Sequence, residues 1–257
     1  MFEIITESTS TGIRLRLVAD AADAAMAVSL AERHAKWARD YAAMRASGRL
    51  VERSTAASWI LRVGAALNMT NTVAAHAVAL FDEYVAMAGG DAPWAPERIQ
   101  LYACAALLVA SKFHADSNYL DPTILCIVSR DQYVEDQICD AEVDLVTALN
   151  WNLWPLTACD YLDIIDMRDD LRRTAAFAVA VMTASDMCVL LPPLHVALLA
   201  MYFASRSLDI APGAPAIAAP AESYFVEFSR ADLGAIRRRF TAVRAALPQL
   251  AEIYLPA

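Results

Sequence analysis

The sequence predicts an all-α protein. Glycine is scarce, at 7 of 257 residues, and the abundant alanine, leucine, methionine, arginine and glutamate are all strong helix formers. Apolar stretches of helical length also alternate with short segments of Gly, Pro, Asn, Asp and Ser that end or start helices. A chain of 257 residues can hold one large domain or two domains of roughly 100 residues each.

The first part of the chain is predicted to lead into this helical body. Residues 1–20 are expected to be extended or disordered. Residues 21–46 predict one helix or two, and the segment 47–49, which contains Gly48, breaks the pattern.

A first set of five helices follows, over 53–67, 71–88, 96–113, 121–130 and 132–150. Gly89 and Gly90 are suited to end the second helix, whereas Pro96 and Pro122 are suited to the first turn of the third and fourth. The third helix is apolar nearly all round from 101 to 110, which predicts a position at the centre of a bundle.

A second set of five helices is predicted after a linker at 151–157, over 157–168, 170–190, 193–208, 220–228 and 229–246, with a Pro/Ala-rich loop near 209–220. A weak repeat relates the two sets. The tripeptide that ends with Lys112 closes the third helix of the first set, and a similar tripeptide, ending with Arg206, closes the third helix of the second set 94 residues later.

Charge and cysteine content restrict the class of function. The formal net charge of -9 repels phosphate, so we expect no nucleic-acid partner. The five cysteines form no CxxC pair or zinc spacing and are interpreted as reduced, buried thiols. We therefore expect no metal and no cofactor.

Targeting and membrane signals are also not expected. The N-terminus shows no signal-peptide pattern. The apolar stretch 187–205 is interrupted by Pro192 and Pro193, so we expect helix ends of a protein core and no membrane partner.

Three stretches carry a family resemblance. They are SWILRVGAALNM at 58–69, IQLYACAALLVASKF at 99–113 and DAEVDLVTALNWNLWPLTACDYLDII at 140–165. Together they resemble the cyclin family, and within it the D-type cyclins and those encoded by gammaherpesviruses. The resemblance implies two tandem five-helix cyclin-box repeats with an N-terminal helix, with an N-terminal segment at 1–50, a first box at 51–155 and a second at 156–250.

The resemblance also implies a function and an interface. A cyclin is a non-catalytic subunit that binds and activates a cyclin-dependent serine/threonine kinase to drive cell-cycle progression, in the nucleus and cytoplasm, here of a host cell if the protein is viral. In that family a lysine at the end of the third helix and a glutamate in the fifth clasp the kinase, and these positions are Lys112 and Glu142. The neighbouring apolar contacts of the implied interface are Phe113, Val146, Trp151 and Leu153.

Taken without the family, Lys112 and Glu142 also allow a simpler interpretation. Lysine in a last turn stabilises the helix dipole by about 0.3–1 kcal/mol, and its stem can pass along apolar neighbours. Glu142 lies four residues after Ile138, at the edge of the predicted buried stripe, where it needs water or a partner. That both positions match the motif favours the interface.

A second family feature, a docking patch for substrates and inhibitors on the first box helix, is expected to be degenerate. Its Met, Ile and Leu positions hold Glu52, Thr55 and Ala56, whereas its tryptophan is retained as Trp59. Each large apolar side chain lost removes about 1.5–3 kcal/mol of burial from such a patch. The sequence also shows no acidic Pro/Ser/Thr-rich tail and no pocket-protein motif, so we expect a compact viral D-type-like cyclin.

Two alternatives belong to other classes. A cyclin-fold transcription factor resembling initiation factor B would require a basic DNA-facing surface, which the net charge of -9 disfavours. A helical enzyme would require catalytic groups, but the four histidines are scattered and no HExxH, P-loop or GxSxG motif occurs. The basic run 237–239 is interpreted as a solvated helix face, with a docking role as the alternative.

Overall fold

The structure is a computed structural model that describes residues 3–8, 12–19, 37–38, 41–42, 44–88, 95–115, 119–165, 167–208, 222–246 and 248. The described residues lie mainly in α-helices, which confirms the predicted all-α class for the body of the chain. The chain forms two compact units, one of residues 35–157 and 183–190, the other of residues 1–34, 158–182 and 191–257. The domain boundaries given above remain a prediction.

The first unit contains the five predicted helices of the first box. They are α1 (Leu50–Ala66), α2 (Asn71–Ala88), α3 (Pro96–His114), α4 (Pro122–Val128) and α5 (Glu135–Ala148). Pro96 and Pro122 occupy the first turns of α3 and α4, as predicted, and the Asp121 carboxylate caps α4 by accepting from the Thr123 amide at 2.9 Å. The residues that follow Ala88, including the glycine pair, lie outside the described residues.

Helix α3 forms the centre of this unit. Every residue from Tyr102 to Ala110 is at most 3% exposed, and α3 packs against α1, α2 and α5. The run contains four alanines and a cysteine, whose small side chains let the neighbouring backbones approach on all sides. The predicted central position of this helix is confirmed.

Arg53 of α1 is a buried hub that the sequence analysis did not recognise. Its side chain is 0% exposed, and its guanidinium forms two hydrogen bonds to the Asp82 carboxylate of α2, at 2.9 and 2.8 Å. Tyr41 of the N-terminal segment donates to the same carboxylate at 2.7 Å. Arg53 therefore ties three parts of the chain to one buried charge pair.

The segment 183–190 joins this unit through the same guanidinium. Arg53 donates to the backbone carbonyls of Thr183 and Ser185, and to the Cys188 sulfur at 3.0 Å. These carbonyls lie at a helix end, where no further turn can bind them. The single helix predicted over 170–190 is wrong, because the chain forms α7 (Asp169–Ala184) and α8 (Met187–Leu190) with a break between them. Arg53 binds the carbonyls at this break.

The N-terminal helix predicted over 21–46 is only partly within the described chain. The described residues 37–38, 41–42 and 44–46 are helical, and the remainder of the prediction up to residue 36 lies outside the described residues. Trp37 and Tyr41 are buried and stack with ring centroids 5.4 Å apart. The segment thus contributes to the core of the first unit.

The second unit contains α6 (Ala158–Ile164), most of α7, α9 (Pro193–Ser207), α10 (Arg230–Ala246) and three strands, β1 (Glu3–Ser8), β2 (Gly12–Ala19) and β3 (Glu222–Ser229). The strands form an antiparallel sheet in the order β1-β2-β3, with Glu3 opposite Val18 and Gly12 opposite Ser229. The predicted loop at 209–220 lies outside the described residues.

The helix predicted over 220–228 is wrong, because β3 occupies residues 222–228, the part of this range that the structure describes. Four of its eight residues are aromatic or β-branched, namely Tyr224, Phe225, Val226 and Phe228. Such residues favour strands, and the backbone of β2 supplies hydrogen-bonding partners along the whole length of β3. Pairing with a segment more than 200 positions earlier in the chain overrides the helical pattern.

The apolar stretch 187–205 does not form one continuous helix. It is divided between α8, which ends at Leu190, and α9, which begins at Pro193. Within the described part of the chain, no helix has both the length and the apolar character needed to cross a membrane.

Candidate protein-binding groove

A groove of about 460 Å³ opens on the first unit between the end of α3, the outer face of α5 and the segment that follows α5. It is lined by Val109, Lys112, Phe113, Glu142, Val143, Val146, Thr147, Trp151 and Leu153. The structure thus brings all six residues of the sequence-predicted interface to one surface, although they span more than 40 positions in the chain.

Lys112 and Glu142 form an ion pair at this groove. The lysine nitrogen lies 2.7 and 2.8 Å from the two carboxylate oxygens of Glu142, and the side chains are 39% and 17% exposed. The ammonium also lies 5.6 Å from the ring centroid of Tyr119. Because such a solvated pair contributes at most about 1 kcal/mol to folding, stability is a weak reason for its presence.

Large apolar side chains surround the pair and are open to solvent. Phe113 is 40% exposed, Val143 63%, Trp151 76% and Trp154 60%. The rings of Phe113 and Trp154 meet edge to face with centroids 5.7 Å apart. A cluster of exposed aromatic and aliphatic groups around one charged pair is typical of a surface that another protein covers.

The backbone presents Trp151 in a conformation that a bulky residue rarely adopts. Asn150 and Trp151 have φ values of 50° and 60°, and the Trp151 amide donates to the carbonyl of Val146 at 3.1 Å, which closes the end of α5. A left-handed non-glycine residue costs about 1–3 kcal/mol and is often found at functional sites. The turn directs the chain from α5 toward Leu153 and Trp154.

Three groove residues were missed by sequence reasoning, namely Val109, Val143 and Thr147, as was Trp154 beside the groove. Val143 and Thr147 are four residues apart on α5, so they extend the side of the helix that carries Val146 and Glu142. The signal available in the sequence was Val143 itself, an apolar residue outside the predicted buried stripe of α5. Val109 gives no such signal, because it belongs to the buried run of α3.

One comparison decides the family. The family model of the cyclin N-terminal domain matches residues 25–154, just over half of the chain. This chain belongs to the cyclin family.

The fold agrees with this assignment. The crystal structure of a viral cyclin from herpesvirus saimiri matches this cyclin with a TM-score of 0.54 and 15% sequence identity, over 79% of this chain and 86% of that chain. At this identity the likeness establishes a shared fold. No curated protein sequence matches this cyclin significantly.

The predicted docking patch of this cyclin lies on α1, where its residues have mixed environments. Glu52 pairs with Arg49 at 3.1 Å, Thr55 is exposed and donates to the Val51 carbonyl at 3.0 Å, and Ala56 is 3% exposed. Trp59 is half-buried, so it is neither a fully packed core residue nor an open one. The first two positions present polar groups where the family pattern has large apolar side chains.

The thiols of this cyclin are embedded to different degrees. All five cysteines are free, with Cys104 and Cys159 buried. Burial raises the pKa of Cys104 to about 12. Burial also raises the pKa of Cys188 to about 12, against the opposing effect of the Arg53 guanidinium. Among the described residues, no three His, Cys, Asp or Glu side chains are grouped so that they could hold a metal ion.

Proposed function

We propose that this cyclin binds and activates a cyclin-dependent serine/threonine kinase and thereby drives cell-cycle progression, in the nucleus and cytoplasm of its host cell. The observation that carries the proposal is the convergence of Lys112, Glu142 and the four predicted apolar contacts on one groove. The partner binds this groove, and the cyclin supplies shape and hydrogen bonds but no catalytic group.

The ion pair supports this role through the groups that it makes available. Lysine offers three donors and the carboxylate several acceptor sites, so each can bind a partner while it still contacts the other. A partner that covers the pair removes water, which strengthens these charge-assisted hydrogen bonds. Phe113 and Trp151 are aromatic residues of the kind that dominate binding energy at interfaces.

Activation would follow as a shift between conformations of the kinase. A cyclin that binds the active arrangement more tightly than the inactive one shifts the equilibrium toward the active state. In that state the kinase positions its own Lys–Glu pair and its metal-binding aspartate. A rigid groove suits this task, because a pre-ordered surface loses little entropy on binding.

We further propose that this cyclin is viral and D-type-like. Glu52 and Thr55 at the docking patch support this, since an eroded patch would weaken capture by inhibitor proteins. The alternative, a transcription factor resembling initiation factor B, is disfavoured by the match to the cyclin N-terminal domain and by the net charge of -9.

The test is reconstitution with purified cyclin-dependent kinases. Wild-type cyclin is expected to capture and activate at least one kinase in a histone-phosphorylation assay, and Lys112→Glu combined with Glu142→Val is expected to abolish both. The matched control is Arg168→Glu combined with Asp170→Val, which removes another exposed ion pair, of 2.6 Å. The proposal fails if no kinase is bound, or if the groove variant activates as well as the control.

A further inference from the structure

Two histidines meet behind the groove. His76 of α2 is 4% exposed, and its Nδ1 lies 2.6 Å from Nε2 of His114, the last residue of α3. On its other side, Nε2 of His76 lies 2.8 Å from the carbonyl oxygen of Leu153. The rings of His76 and Phe113 meet edge to face, with centroids 5.0 Å apart. One buried ring therefore contacts two residues that line the groove.

The protons of this arrangement can be assigned from its partners. A carbonyl oxygen only accepts, so Nε2 of His76 carries the hydrogen that is donated to Leu153. In a neutral imidazole the other nitrogen is then an acceptor, so His114 donates its Nε2 hydrogen to Nδ1 of His76. Among the neutral forms of His76, only the Nε2–H tautomer satisfies both contacts, and the two contacts fix the plane of its ring.

The orientation of the His76 ring matters because Leu153 and Phe113 both contact it. Leu153 belongs to the segment after α5, where its amide donates to the carbonyl of Trp151 at 3.1 Å. The ring of Phe113 packs on His76 at one side and on Trp154 at the other. His76 thus links α2, the end of α3 and the segment after α5 at one point.

We propose that His76 is a positioning residue of the groove, which sets where Phe113 and Leu153 meet the kinase. The inference rests on the proposed function for the identity of the partner. His76 acts through its neighbours, since it lies beneath them. Buried side chains that lock exposed contact residues in this way reduce the entropy lost on binding.

Three substitutions separate the contributions of the ring. His76→Phe keeps an aromatic ring and removes both hydrogen bonds. His76→Gln retains a donor that can reach the Leu153 carbonyl, whereas His76→Asn retains an acceptor for His114. The control is His195→Phe, which changes a histidine in α9, a helix of the other unit.

Kinase affinity and dissociation rate form the first measurement, by biolayer interferometry with immobilised kinase. His76→Phe is expected to weaken affinity about tenfold, through faster dissociation, because Leu153 and Phe113 lose their fixed positions when both hydrogen bonds are removed. His76→Gln is expected to recover most of the affinity, because the Leu153 contact is restored. Equal affinity of His76→Phe and wild type, or an equal loss in the His195→Phe control, would overturn the inference.

The second measurement needs no kinase. Nitrogen-15 spectra of the free cyclin are expected to show His76 as the Nε2–H tautomer, and His76→Phe is expected to shift the indole resonances of Trp151 and Trp154 much more than the control does. If wild type binds no kinase, the proposed function fails and these spectra alone decide whether His76 positions the groove. A different tautomer, or unmoved indole resonances, would refute the positioning role.

Discussion

The ammonium of Lys112 lies 2.7 and 2.8 Å from the two carboxylate oxygens of Glu142, although 30 positions separate these residues in the chain. The pair joins the end of the central helix α3 to the middle of α5, so its position is fixed by the bundle core beneath it. Its lysine remains 39% exposed. A rigidly placed but accessible charge pair has the geometry required of a contact for another protein.

Exchanging the two charges separates a role in folding from a role in binding. In Lys112→Glu combined with Glu142→Lys the internal ion pair can re-form, so the free energy of unfolding is expected to change by less than about 1 kcal/mol. Kinase capture is expected to be lost, because donors and acceptors now face the wrong groups of the partner. Urea denaturation and a kinase pull-down measure the two effects, and retained capture would mean that the pair acts only within the chain.

Arg53 is expected to be essential for the stability of the first unit. Arg53→Met leaves the Asp82 carboxylate buried without its cation, which is expected to destabilise the fold by about 3–5 kcal/mol. Arg53→Met combined with Asp82→Leu removes both charges and is expected to recover a large part of this loss. The measurement is urea denaturation of the three proteins. A single variant as stable as wild type would show that the pair contributes little.

The thiols are expected to react in an order set by exposure and thiolate content, because Cys188 is partly exposed, like Cys126 and Cys139, but has a strongly raised pKa. With a pKa of about 12, Cys188 has only ~0.01% thiolate at pH 8, and the thiolate is the reactive form. Cys104 has a similarly raised pKa and is buried. Native-state alkylation at pH 8, read by mass spectrometry, is expected to modify the partly exposed Cys126 and Cys139 first. Early labelling of Cys188 would contradict the packing around Arg53.

The sequence predicted the helices of the first box to within a few residues because their punctuation is local. Pro96, Pro122 and Asp121 act on the turns that contain them, and the apolar run of α3 has no alternative to burial. The strand β3 could not be predicted in the same way, since its partner β2 lies more than 200 positions earlier in the chain. The break after α7 depends on Arg53, whose distant carbonyl partners no local pattern reveals.

The groove shows the same division between local pattern and tertiary contact. The family resemblance supplied six of its residues, whereas Val143 and the neighbouring Trp154 were found only when the exposed side chains could be seen together. The pairing of His76 with His114 had no sequence signal, because the residues are 38 positions apart and each alone is an ordinary helical histidine.

Restoring apolar groups at the docking patch is expected to let this cyclin bind inhibitor peptides that the wild type does not bind. Glu52→Met combined with Thr55→Ile replaces two polar side chains on α1 and leaves the buried Ala56 unchanged. Docking peptides of cyclin inhibitors are expected to bind the variant and not the wild type, as isothermal titration calorimetry can test. Glu52→Gln with Thr55→Ser is the polar control. Tight binding by the wild type would show that the patch is functional in another form.

Trp151 is expected to reduce stability while it contributes to binding. Its φ of 60° favours glycine, so Trp151→Gly is expected to leave the free energy of unfolding unchanged or raise it by about 1 kcal/mol. Because an exposed tryptophan at an interface can contribute about 2 kcal/mol or more to binding, the same change is expected to weaken kinase affinity at least tenfold. Asn150→Gly is a matched control, since Asn150 has a φ of 50° and is also exposed. That variant is expected to preserve affinity. If Trp151→Gly lowers stability and leaves affinity intact, Trp151 is a packing residue and the strained turn has no part in binding.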